Sequence, residues 1–223
     1  MIKALIFDCD GLLIDTETVQ YHAFCEIYES HGLDLPLDLY VQCVGSSFAD
    51  FDPFNHLKIN SAQNVDLKEM QAELTAKITE AMKKEKLRSG VQEYLESAKE
   101  KGLKLGIASS STREWVLGHL EKFDIIKYFD VIHTRDDVEK VKPDPELYNK
   151  TLSTLGVHAN ETIIFEDSLN GLKAAKAAGA SCVIVPNKVT AKLPFENHDI
   201  KLNSMSDRSL EELINEVVEC YNS

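Results

Sequence analysis

Two aspartates separated by one residue, Asp8 and Asp10, end the apolar run in LIFDCDGLLIDTE, residues 5–17. An ionised carboxylate is costly to bury alone, so a pair placed there must face a cleft, a cation or solvent. Alternation along an extended chain puts Asp8 and Asp10 on one side and Cys9 on the other. Three further segments carry reactive residue types at the ends of similar runs. They are Ser109, Ser110 and Ser111 in IASSS, Lys142 in VKPDPELY, and Glu166, Asp167 and Ser168 in IIFEDSLNG. Converging carboxylates cannot all ionise without a cation or a shared proton. An all-oxygen acidic cluster suits Mg²⁺, which takes carboxylates, waters and phosphate oxygens. A lysine and a hydroxyl-rich helix start would supply donors to those phosphate oxygens. Each segment also has an ordinary reading. Asp10-Gly11 is a turn signal, Ser111 or Thr112 a helix cap, Lys142 a loop charge, and 166–168 a helix start.

These residues need a scaffold that brings their segments together. Short β-branched runs at 3–7, 103–109, 129–134, 162–166 and 182–186 alternate with helical patterns around 90–100, 112–122, 145–155 and 168–178. That repetition predicts a doubly wound parallel α/β sheet, a Rossmann-like core whose ligands sit beyond the strand C-termini. Ser111 stands three residues before Glu114, the spacing of a capping box, and a polar tail helix is expected over about 207–221. Residues 17–87 carry no strand pattern, only helical stretches such as LKEMQAELTAKITEAMKKEK. The division that follows is a core of 1–16 and 88–223 with a helical cap domain inserted at 17–87.

Bulk composition narrows the partners. The chain has 223 residues, 43% hydrophobic and 27% charged, as an ordinary globular protein does. A net charge of −13 argues against nucleic acid or an anionic membrane as partner. A bound divalent cation would still permit an anionic substrate. The five cysteines form no CxxC pair and have no zinc-site spacing, which reads as reduced thiols in a cytoplasmic protein. No stretch has the ~18 apolar residues of a membrane span.

FDCDGLLIDTE, IASSS, VKPDPELY and IIFEDSLNG, in this order, resemble the four motifs of the haloacid dehalogenase-like hydrolase superfamily. The helical insert resembles the cap of its phosphatase and β-phosphoglucomutase-like branch. The resemblance implies a Mg²⁺-dependent phosphatase that cleaves a small phosphorylated metabolite through an aspartyl-phosphate. It makes Asp8 the nucleophile and Asp10 the acid and base. Mg²⁺ would be held by Asp8, the Asp10 carbonyl and Asp167, with Glu166 in or near the same shell. Ser109 and Ser110 would hold the phosphoryl group and Lys142 would neutralise its charge. Thr16 and Glu17, where the chain leaves for the cap, are expected to line the substrate entrance, and Gly11 to join the substrate- and phosphate-binding residues. His22 and Trp115 read as packing residues, and the chain as a monomer.

The alternative within the same branch is a sugar-phosphate mutase. Its pattern asks for a cap-loop arginine and a histidine soon after the first motif. Here the loop reads CVGSSFADFDPF, and His22 falls about two residues late. A receiver-like phosphoacceptor domain fits less well, because its acceptor aspartate ends the third strand and lacks an acid two residues on.

Overall fold

The computed structural model describes residues 1–44 and 51–221. In chain order the elements are β1 (Ala4–Phe7), α1 (Thr16–Ser30), α2 (Leu37–Tyr40), α3 (Pro53–Asn60), α4 (Leu67–Met82) and α5 (Val91–Glu100). They continue with β2 (Lys104–Ala108), α6 (Arg113–Lys122), β3 (Val131–His133), α7 (Glu146–Leu155) and β4 (Thr162–Glu166). The chain closes with α8 (Leu169–Ala177), β5 (Ser181–Ile184), β6 (Ile200–Lys201) and α9 (Leu210–Tyr221).

The strands form one six-stranded sheet in the order β3-β2-β1-β4-β5-β6, every neighbouring pair parallel. Central strands of a sheet covered on both faces read as continuous apolar runs, and β1 is buried throughout. Its side chains divide by alternation. Leu5 and Phe7 join the cluster containing Val91 and Leu95 of α5 and Leu213 of α9. Ala4 and Ile6 join Leu147 and Leu152 of α7 and Leu172 of α8. Phe7 stacks on Phe165 of β4 at 4.8 Å, tying the two strands that flank the reversal of strand order. Ligands of such sheets sit at that reversal, beyond the strand C-termini.

Between β1 and α5 the chain builds a helical cap. Aspartates start α1, α3 and α4. Asp15 accepts from Thr18 N at 3.1 Å, Asp52 from Phe54 N at 2.9 Å and Asp66 from Lys68 N at 2.8 Å. Phe24, Ile27, Leu57, Leu74 and Ile78 close its interior. The two crossings of the chain between cap and core are bonded to each other. Ile14 bridges Leu87 antiparallel, and Arg88 N donates to Leu13 O at 2.9 Å. Residues 45–50, in the loop that lacks an arginine, lie outside the described residues.

Three expectations need correction. β6 has two residues, too short for any alternation to show in sequence. The tail helix begins at Leu210, because a 3₁₀ turn, Met205–Asp207, occupies the first part of the expected span. The cap of α6 is Thr112, whose Oγ1 accepts from Trp115 N, leaving Ser111 free for another partner.

Candidate active site

Asp8 follows β1 directly and Glu166 ends β4, so strand register alone sets their carboxylates side by side. Both are buried, as is Lys142, which is only 2% exposed. Lys142 Nζ donates to Asp8 Oδ1 and, at 2.7 Å, to Glu166 Oε1. Burial works against the lysine's charge, but the two carboxylates outweigh it and hold the ammonium above its ordinary value. Tyr148 of α7 also donates to Glu166 Oε1. Glu166 Oε2 accepts from Asp167 N at 3.1 Å and from Ser168 Oγ at 3.1 Å. Every lone-pair direction of Glu166 is therefore in use. Asp8 lines the cavity, and its second oxygen has no hydrogen bond among the described residues. Burial pushes its pKa up to about 8 against the pull of Lys142, with Glu166 and Asp10 adding to the rise.

Asp10 lies on the same side as Asp8, while Cys9 is buried in the opposite cluster, as alternation requires. Its carboxylate does not join the Asp8 cluster. Ser111 Oγ donates to Oδ2 at 2.7 Å, Ser109 Oγ reaches the same oxygen at 3.4 Å, and Trp115 Nε1 donates to Oδ1 at 2.7 Å. Trp115 is thus more than the packing residue expected from its helix. Ser109 is buried at the end of β2, and Ser110 lines the cavity with a buried hydroxyl that has no partner among the described residues.

Gly11, expected at the phosphate, and Thr16, expected at the entrance, both stand behind the site and off the cavity wall. Gly11 has φ +76°, and a Cβ there would come 2.2 Å from Asp167 Oδ2. Its N–H donates to Thr16 Oγ1 at 3.0 Å, and Thr16 is fully buried. Sequence reasoning missed two residues that support this floor. Asn187 Nδ2 donates to Asp167 Oδ2 at 2.7 Å, and Arg88 donates to the carbonyls of Gly11, Val185 and Pro186. The signal for Asn187 was a polar residue directly after the apolar run that forms β5. Gly171, in the first turn of α8, matters for a related reason. A Cβ there would lie 1.8–2.0 Å from the Glu166 carboxyl group.

These groups open into a cavity of about 570 Å³ shared by core and cap. Its core wall is Asp8, Asp10, Ser109–Ser111, Trp115, Arg135, Lys142 and Asp167; its cap wall includes Glu17, Gln20, Tyr40, Cys43, Gln71 and Ile78. Glu17 is 8% exposed, and burial first, then Asp10 and Asp8, pushes its pKa up to about 8. His22 is exposed and lies off the cavity wall.

Oxygens of Asp8, Glu166 and Asp167 lie within 4.8 Å of one another, all buried. Burial and the neighbouring carboxylates drive Asp167 well above the ordinary carboxylate range, and Lys142 neutralises part of the cluster through Asp8 and Glu166. A second, divalent positive charge with all-oxygen ligation fits this set. Among the described residues Asp8 and Asp167 each keep an oxygen without a protein donor, whereas Glu166 has none to spare.

The haloacid dehalogenase-like hydrolase family matches residues 5–185. YhcW of Bacillus subtilis, a candidate phosphatase by name, is 48% identical over 210 residues, 94% of this chain and 95% of its own. The phosphorylated carbohydrates phosphatase of Thermotoga maritima is 36% identical over 180 residues, 80% of this chain and 82% of its own. Hexitol phosphatase B of Escherichia coli is 30% identical over 222 residues, 96% and 97% of the two chains. The crystal structure of CbbY from Rhodobacter sphaeroides in complex with phosphate shares 27% identity and a TM-score of 0.75, over 93% of this chain and 96% of that one. Among the described residues no helix is long and apolar enough to cross a membrane. Motif order, sheet topology and relatives agree: the chain belongs to the haloacid dehalogenase-like hydrolases.

Proposed function

We propose that this hydrolase is a Mg²⁺-dependent phosphatase of small phosphorylated carbohydrates, working through a phosphorylated Asp8. The observation that carries the reading is Asp8 itself. It is buried at the reversal of strand order and lines the cavity, with one oxygen held by Lys142 and the other without a hydrogen bond among the described residues. The Asp8 carboxylate attacks phosphorus, the P–O bond to the substrate breaks, and the leaving oxygen takes a proton from Asp10. Water then attacks the aspartyl-phosphate, Asp10 takes its proton, and the P–O bond to Asp8 breaks to release phosphate. Splitting one displacement in two and supplying the proton locally lower both barriers. Lys142, Ser109 and Ser110 hold and neutralise the phosphoryl oxygens. Asp8, Asp167 and the Asp10 carbonyl would hold Mg²⁺, with Glu166 fixing Lys142 beside them. Bound there, Mg²⁺ would supply further charge neutralisation for the phosphoryl group.

In this reading residues 1–16 and 88–223 do the chemistry, and the cap, 17–87, covers the cavity and chooses the substrate. Relatives named as phosphatases of hexitols and of phosphorylated carbohydrates support that class. The test is product analysis on a panel of sugar and polyol phosphates, including β-glucose 1-phosphate primed with its bisphosphate. Each is run with wild type and Asp8→Asn, with Mg²⁺ and with chelator. Phosphate release that needs both Asp8 and Mg²⁺ is the expected result. Isomer formation without net release would make the enzyme a mutase.

A further inference from the structure

Trp115 is the single tryptophan of the chain, and its indole is committed on two sides. One edge packs against the buried His119 ring at 4.4 Å and 85°, one helical turn along α6. The other carries Nε1, which donates to Asp10 Oδ1 at 2.7 Å. Among the described residues the opposite oxygen, Oδ2, meets only hydroxyls, Ser111 Oγ at 2.7 Å and Ser109 Oγ at 3.4 Å.

The two kinds of partner differ in one decisive respect. An indole N–H only donates, while a hydroxyl donates or accepts as its hydrogen rotates. A proton on Oδ1 would point at another proton. A proton on Oδ2 finds serine oxygens able to accept it. Resting on the acid and base role given above to Asp10, we propose that Trp115 is a positioning residue that makes its two oxygens inequivalent. Oδ1 is a permanent acceptor, and Oδ2 carries the proton given to the leaving group and later taken from water. The plane of the carboxylate is fixed by the same pair of bonds, one on each oxygen.

Trp115→Phe keeps the ring and its contact with His119 but removes the donor. The expected result is a fall in kcat of about 10- to 100-fold, the scale of misplacing a reacting group, with KM within about threefold of wild type. In an Asp10→Asn background the same change should cost nothing further, because the group it positions is already gone. A rise in KM with kcat intact, or an equal loss in both backgrounds, overturns the proposal. Full turnover by Asp10→Asn alone would overturn the acid and base role, and the proposal with it. Trp115 is the only indole, so its fluorescence gives a second test that does not need the Phe variant to fold. Emission should shift between wild type and Asp10→Ala of equal Tm, and identical emission overturns the contact.

Discussion

The two walls of the cavity are built by different rules. On the core wall the reacting carboxylates are tied by side-chain hydrogen bonds: Asp8 to Lys142, Asp10 to Ser111, Ser109 and Trp115, and Asp167 to Asn187. On the cap wall Gln20 and Gln71 have no side-chain hydrogen bond among the described residues, and their neighbours Tyr40 and Ile78 contribute shape. A network that fixes each atom suits chemistry that repeats unchanged from one substrate to the next. Unpaired amides on an irregular wall suit the recognition of hydroxyls that differ between substrates. In the proposed reading, reaction and choice fall to two structural units.

The largest effect that could break this contrast is at Asp8. Asp8→Asn should lower kcat by roughly 10⁴-fold or more while Tm holds, and surviving turnover would remove the core wall's claim to the chemistry. Asp10→Asn comes next, with a loss of about 10²- to 10⁴-fold in kcat; a loss under tenfold would count against it. Gly171→Ala tests how tightly the core wall is packed. Driving a methyl group into the Glu166 carboxyl should cost about 1–3 kcal/mol in urea unfolding, and a neutral result would show that the wall yields.

Glu17 sharpens the boundary between the walls. Its raised pKa means the folded state binds the proton more tightly than the unfolded chain. The resulting stabilisation is complete below the unfolded carboxyl's pKa and is lost as pH rises through about 8. Glu17→Gln should abolish this dependence, so that the stability difference between variant and wild type grows with pH; a pH-independent difference would refute it. Smallest are Gln20→Ala and Gln71→Ala, each worth one neutral hydrogen bond, about 0.5–1.5 kcal/mol in KM. Their effects should vary from substrate to substrate while kcat stays put. A uniform fall in kcat would erase the distinction between the walls.

Legibility in the sequence followed the same division. Asp8, Glu166 and the parallel sheet were readable because strand period and strand ends are local properties that topology then brings together. Trp115 was read as packing because the direction of an indole N–H depends on the phase of α6 against a segment over a hundred residues away in sequence. Arg88 and Tyr148 support the site from another loop and helix, and nothing in their immediate neighbours announces a partner, whereas Asn187 had only its place after an apolar run to mark it. Gly11 and Thr16 sat beside the right motif yet proved to be its backing. The cap's helices were legible as helices, but which of their residues reach the cavity was not, since that depends on how four amphipathic segments pack.

The paired crossings between cap and core set how the cavity can open. Two chain segments cross side by side, joined by the Ile14–Leu87 bridge and by Arg88 N to Leu13 O at 2.9 Å, while the Arg88 side chain grips carbonyls of three core residues. A ribbon two strands wide resists sliding and twisting far better than it resists bending across its width. In the proposed reading the cap would therefore have one soft direction, like a door on a strip hinge, that returns its wall to the same place over Asp8.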